Sequence, residues 1–174
     1  MLMDRYLPSW EFDKKKECSV QTETIPKASV VYDVDFGKSF IIRTLFFLRG
    51  IPTGMLTLND FIDNGFILLE ESEHEIVIGL VAQPWTLKGN IVEIPREEFR
   101  NFHMPDYVKV VWNFSFEPIG KGRTKISTET RIHCTSHHAK KKFSPYWFVI
   151  GYFSGVIRRE MLAIIHREVM KNNC

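Results

Sequence analysis

The stretch from Lys140 to Cys174, KKKFSPYWFVIGYFSGVIRREMLAIIHREVMKNNC, constrains the fold of this chain more than any other. It opens basic, is almost wholly apolar from Phe143 to Ile157, and then turns amphipathic, with Arg158, Arg159 and Glu160 on one side. Ser136 can cap a helical lead-in over His137 to Lys142, Ser144-Pro145 gives a second start signal, and the helix should run to about Lys171. Pro145, Gly151 and Gly155 invite a bend. The apolar part is shorter than the roughly 20 residues that span a bilayer, so the chain is expected to be soluble. A long apolar helix needs an apolar floor, and a curved sheet supplies one.

The upstream sequence contains such a sheet. Cys18, Val20 and Thr22 alternate with polar neighbours from Glu17 to Ile25, the pattern of a half-buried strand. Pro26 to Tyr32 reads as a short helical turn. Lys38 to Leu48 reads as a helix whose buried stripe is Phe40, Ile41, Thr44, Leu45 and Leu48, ended by Gly50-Ile51-Pro52. Thr57 is an N-cap and Gly65 a left-handed terminator for one more short helix. Phe66 to Glu71 and Glu75 to Ala82 are spaced as a hairpin, and Leu87 to Ile94 reads as a further strand bent at Gly89-Asn90. Pro95 to Phe99 is expected to form a short helix.

The strongest strand pair follows. Tyr107 to Pro118 places Val108, Val110, Trp112, Phe114 and Phe116 on one face, with Lys109, Asn113, Ser115 and Glu117 on the other. Thr124 to His133 answers with Thr124, Ile126, Thr128, Thr130 and Ile132 against Lys125, Ser127, Glu129, Arg131 and His133. A one-residue slip would exchange the faces, so the register should be firmly set. Hairpin spacing throughout excludes a parallel sheet with crossovers.

At 174 residues the chain fits one domain over 16–174, preceded by a solvated arm over 1–15. Fourteen Phe and 4 Trp imply an aromatic core or a cavity lined with rings. A net charge of +2 is too small to make nucleic acid the main partner. Cys18, Cys134 and Cys174 are widely spaced and odd in number, which suits a reducing cytoplasm. The N-terminal residues have no apolar core long enough for a signal peptide.

The order of strand, short helices, antiparallel strands and long helix resembles the helix-grip fold of the START and birch-pollen-allergen superfamily (SRPBCC), in particular its uncharacterised bacterial branch. The residues that carry the resemblance are Thr24 to Val31, Trp112-Asn113-Phe114, and Gly122 to Arg131 followed by the terminal helix. The resemblance implies an α+β domain. In it a curved antiparallel sheet wraps around a long C-terminal helix, short helices follow strand 1, and a cavity holds a lipid, sterol or polyketide-like ligand. Fold alone does not choose among the carriers, cyclases and hydrolases of that group.

Trp112, Phe114, Thr128, Thr130, Trp147 and Ile150 are the candidate ligand-binding residues, in a cavity between sheet and terminal helix. Thr128 and Thr130 stand on an inward face where Val or Ile would pack better, and their hydroxyls need partners. Glu129 and Arg131 are assigned to the outer face as a cross-strand charge ladder with Lys109 or Asn113; facing inward they would be catalytic candidates, with Tyr107 and His103. No nucleophile elbow, phosphate-binding glycine loop or zinc spacing is present, so no catalytic residue, metal or cofactor is assigned; His133, Cys134, His137 and His138 match no ligand pattern. Lys140, Lys141 and Lys142 beside apolar rings suit weak contact with an anionic membrane surface. Binding of an apolar small molecule is the leading reading. A cyclase- or hydrolase-type enzyme using the same cavity, and a protein-interaction module with the cavity closed, are the alternatives. The oligomeric state is not legible.

Overall fold

The structure, a computed structural model, describes residues 1–22, 24–48 and 56–172. Its centre is the expected strand pair. Strand β4 (Val108–Gly120) and strand β5 (Arg123–Cys134) run antiparallel, with Trp112 opposite Thr130 and Phe114 opposite Thr128. Strand β1 (Phe12–Gln21) adds to the free edge of β5, while β3 (Glu75–Ala82) and β2 (Ile67–Glu71) extend the other side. The five strands lie in the order β1-β5-β4-β3-β2, every pair antiparallel.

Helix α3 (His137–Asn172) lies on one face, over β1 and β5. The short helices that follow β1 share that face: 3-10 turns at Ala28–Asp33 and Phe36–Lys38, α1 (Phe40–Leu48) and α2 (Leu58–Asp63). The fold is therefore α+β, a five-stranded antiparallel sheet with one long C-terminal helix, as the sequence suggested.

Local chemistry accounts for the element ends. Thr57 and Asp60 form a reciprocal capping box at α2, and Gly65 ends it at φ +94°. Ser136 accepts the Ala139 N–H at 3.0 Å, so α3 starts at the expected place. It then runs unbroken through Pro145, and the Ser144 hydroxyl donates back to the Lys140 carbonyl at 2.7 Å.

Four local expectations are corrected. Strand β1 begins at Phe12 rather than Glu17, because Lys14, Lys15 and Lys16 pair with Thr130, Glu129 and Thr128; lysines are well suited to an edge strand. Residues 87–90 form turns and 91–94 are irregular, rather than a strand, since Gly89 and Asn90 both have positive φ and Leu87 is fully exposed. In α1 the buried residue is Ile42, whereas Phe40 is 80% exposed and Ile41 is exposed; a short helix this apolar has no periodicity to select its face. Gly50-Ile51-Pro52, Cys174 and the side chains of Leu45 and Leu48 lie outside what the structure describes.

The N-terminal residues are the fourth correction. The 3-10 turn Leu2–Arg5 is not a solvated arm: Met3 and Leu7 are buried against the sheet face opposite α3. There they join Leu69, Val77, Val81 and Val111, together with Phe99 and Phe102 from the β3–β4 connection. Gly79 permits this layer, because a Cβ there would sit 2.7 Å from Leu69 and 2.8 Å from Phe99. The sheet is thus covered on both faces.

Candidate ligand-binding site between sheet and terminal helix

The alternation of β4 and β5 decides which side chains meet α3. Trp112, Phe114, Thr128 and Thr130 all face it, as expected. Phe114 is fully buried and stacks on Phe36 with ring centroids 5.9 Å apart. Trp112 packs edge-on to Phe61 at 5.5 Å, and its indole N–H donates to the Thr128 hydroxyl at 2.7 Å. That bond answers why Thr occupies an inward position: it satisfies a buried indole.

The apolar groups on this face form two separate clusters. One gathers Ile76, Ile78, Phe114, Phe116 and Ile126 under Met161, Leu162, Ile165 and Val169. The other gathers Val108, Ile132 and Cys134 under Ala139 and Phe143, with Trp147 packed against it. Thr130 and the α3 segment around Ile150 to Ser154 fall between them. Leu80 of β3 and its β4 partner Val110, the latter packed against the second cluster, are only half-buried, as are Trp147 and Ile150. Apolar side chains on the covered face of a sheet are normally sealed; these are not.

Into that interval projects a residue expected on the polar side of α3. Arg158 is buried, 6% exposed, whereas Arg159 beside it is exposed. Its Nη1 donates to the Ser154 carbonyl at 3.0 Å and to the Ser154 hydroxyl, and its Nη2 donates to the Thr130 hydroxyl. The guanidinium lies 6.0 Å from the Trp112 ring centre. Its Nε is buried without a hydrogen-bond partner. No carboxylate pairs with it among the described residues. Burial therefore pushes the guanidinium down to about 10, still cationic at neutral pH. Sequence reasoning missed Arg158 because the flanking Arg159 and Glu160 made the triplet look like one solvated face. The available signal was position: Arg158 stands three residues before Met161, four after Ser154 and seven before Ile165, on the inward stripe of the helix.

Glu129 and Arg131 face away from α3, as expected, yet they are buried. Arg131 Nε donates to Glu129 at 2.6 Å, Nη1 donates to Asp4 at 2.5 Å, and the guanidinium sits 3.9 Å from the Trp10 ring centre. Asn113 accepts the Glu129 N–H at 2.9 Å and donates to Glu75 at 2.8 Å; Glu75 in turn accepts the Leu2 N–H at 2.9 Å. Burial alone would lower the Arg131 value, but the bonds to Asp4 and Glu129 outweigh it and raise it; the same guanidinium holds the Asp4 carboxyl below its ordinary range. Lys109 takes no part and donates to the Arg100 carbonyl at 2.9 Å. His103 is exposed, and Tyr107 packs edge-on to Phe102.

At the surface, Lys140, Lys141 and Lys142 are exposed, and Phe148 (86%) and Tyr152 (73%) continue the Lys141 stripe along α3. A separate groove of about 510 Å³ lies between β1 and the C-terminal half of α3, lined by Lys16, Cys18, Arg159, Leu162, His166 and Arg167 among others. It contains none of the six expected ligand-binding residues. No group of three or more His, Cys, Asp and Glu among the described residues could hold a metal ion, and no described helix is long and apolar enough to cross a membrane.

The class of molecule these features define is a sheet-and-helix domain with a polar, partly open layer inside an aromatic interior. No protein-family model matches the chain, and no curated protein matches it. Among solved structures, TTHA0849 from Thermus thermophilus is similar over 93% of this chain and 99% of its own, at 11% identity and a TM-score of 0.35. The Zhui aromatase/cyclase from Streptomyces is similar over 91% and 95%, at 10% identity and 0.29. The human StarD13 (DLC2) lipid transfer and protein localization domain is similar over 90% and 76%, at 13% identity and 0.28.

Proposed function

We propose that this chain is a helix-grip binding domain that takes an apolar small molecule, of lipid, sterol or polyketide-like kind, into the interval between sheet and α3. The observation that carries the reading is the half-burial of Leu80, and of Val110 at the edge of the second cluster, on the sheet face that carries α3, where the two apolar clusters do not join. An apolar ligand seated there would remove those side chains from water at roughly 25 cal/mol per Å². Trp112, Thr130, Trp147 and Ile150 would line it, with Thr128 fixing the indole and Phe114 backing it. Free Cys18 and Cys134 suit a reducing compartment such as the cytoplasm.

The exposed stripe of Lys141, Phe148 and Tyr152 lies at the same end of α3, so loading of the ligand at an anionic membrane surface fits the arrangement. Glu129 and Arg131 give the enzyme reading no support, because they lie on the other face and are tied to each other and to the N-terminal turn.

Titration with Nile red, a neutral apolar dye, tests the proposal. Saturable binding at one site, displaced by methyl dodecanoate and weakened by Val110→Trp, is expected. A protein that neither binds the dye nor retains any lipid in native mass spectrometry after purification from its own host would rule the reading out.

A further inference from the structure

We infer that the ligand carries a single carboxylate, and that Arg158 receives it beside Thr130 and Ser154. The inference rests on the binding reading above and deepens it. Arg158 is 6% exposed, and its charge projects between two apolar clusters. Uncompensated charges are rarely left in such places, because a buried ion without a counter-ion is costly. The groups that do touch it, Ser154 and Thr130, are neutral. They orient the guanidinium without cancelling its charge, and they leave Nε–H aimed into the interior with no acceptor.

Geometry favours a planar monoanion. An arginine edge presents parallel N–H donors that match a carboxylate in bidentate fashion. One guanidinium balances one negative charge, whereas a dianion would exchange a buried positive surplus for a negative one. Lys14, the register partner of Thr130, passes its stem 4.0 Å from where a Gly155 Cβ would stand and places a second positive charge at the half-exposed rim. Entry from that side would be electrostatically favoured. Trp112, against which the guanidinium lies at 6.0 Å, gives the adjoining part of the ligand an apolar wall.

Calorimetric titration of the full chain with dodecanoate and with methyl dodecanoate, which differ in charge but hardly in apolar body, tests this. The wild type should bind the carboxylate at least tenfold tighter than the ester. Arg158→Met should abolish that preference while leaving ester affinity within about twofold. Arg158→Lys, which keeps the charge but not the planar edge, should retain part of it. Equal affinity of the wild type for acid and ester overturns the carboxylate assignment and leaves the apolar-binding reading standing. A preference that persists in Arg158→Met also overturns it, moving the anion to the basic groove of Lys16, Arg159 and Arg167. Failure of either compound to bind the wild type removes both readings. Should Arg158→Met not fold, the wild-type comparison and Arg158→Lys still decide.

Discussion

Two arginines are buried on opposite faces of the same sheet, in contact with successive positions of one strand. Arg131 belongs to β5 and points outward; Arg158 comes from α3 and touches Thr130, the neighbour of Arg131, from within. Arg131 has two carboxylates and an indole. Arg158 has hydroxyls, a carbonyl and one orphaned N–H. The guanidinium value is raised in the first and pushed down to about 10 in the second. The outer arginine completes a structure, clamping the N-terminal turn onto the sheet. The inner one is held in place by groups that cannot neutralise it, which is how a site awaiting a partner differs from a site that has one.

The same substitution should therefore have opposite signs at the two positions. Arg131→Met leaves Glu129 buried without a counter-charge, and a loss of about 3–5 kcal/mol is expected in urea unfolding. Replacing both partners, as in Glu129→Leu with Arg131→Met, should regain most of it, because no charge is then stranded. Arg158→Met removes a charge that has no partner and should raise the stability of the unliganded protein by about 1–3 kcal/mol. A depression from the ordinary guanidinium value to about 10 corresponds to a penalty on the order of 3 kcal/mol. The sign follows: the penalty is complete at neutral pH and is relieved only as pH climbs through about 10 toward the ordinary guanidinium value. A destabilised Arg158→Met would mean that its bonds to Ser154 and Thr130 outweigh the burial of its charge, and the contrast between the faces would disappear.

Thr130 separates these contributions. Thr130→Val removes the acceptor for Nη2 and should cost about 1–2 kcal/mol in the wild type, by leaving a second buried N–H unsatisfied. In an Arg158→Met background the same change should cost close to nothing, since Val packs as well as Thr there. Equal costs in both backgrounds would show that Thr130 acts through its own strand and not through Arg158.

What is legible in the sequence follows from the period of each signal. The faces and register of β4 and β5 are legible because Trp112, Phe114 and Phe116 alternate strictly with polar residues, and alternation admits one register. The outer layer is harder to see, although β3, EIVIGLVA, is apolar on both faces and so calls for cover on both. Met3, Leu7 and Phe99 supply that cover from segments with no periodicity of their own. For the same reason alternation turns Glu129 and Arg131 outward correctly but does not reveal that they are shielded from water. Arg158 escapes because a charge in an amphipathic helix is assigned to solvent by default, and only the packing of α3 on β5 reveals which of two adjacent arginines turns in.

The smallest expected effect concerns the outer clamp. Asp4 is mostly exposed, so its bond to Arg131 is screened, and Asp4→Asn should cost less than about 1 kcal/mol at neutral pH. Its carboxyl lies below the ordinary 3.8 because of the Arg131 hydrogen bond. Asp4 thus contributes its stability above that value and loses it as pH falls through the lower folded value. The gap between wild type and Asp4→Asn should accordingly narrow below about pH 3.8 and close under stronger acid, followed by urea midpoints at each pH. Dodecanoate binding should not respond to the substitution, because the sheet separates Asp4 from Arg158 and Arg131 keeps its bond to Glu129. A loss of dodecanoate affinity in Asp4→Asn would show instead that the two arginines communicate through β5, and the faces could no longer be treated as independent.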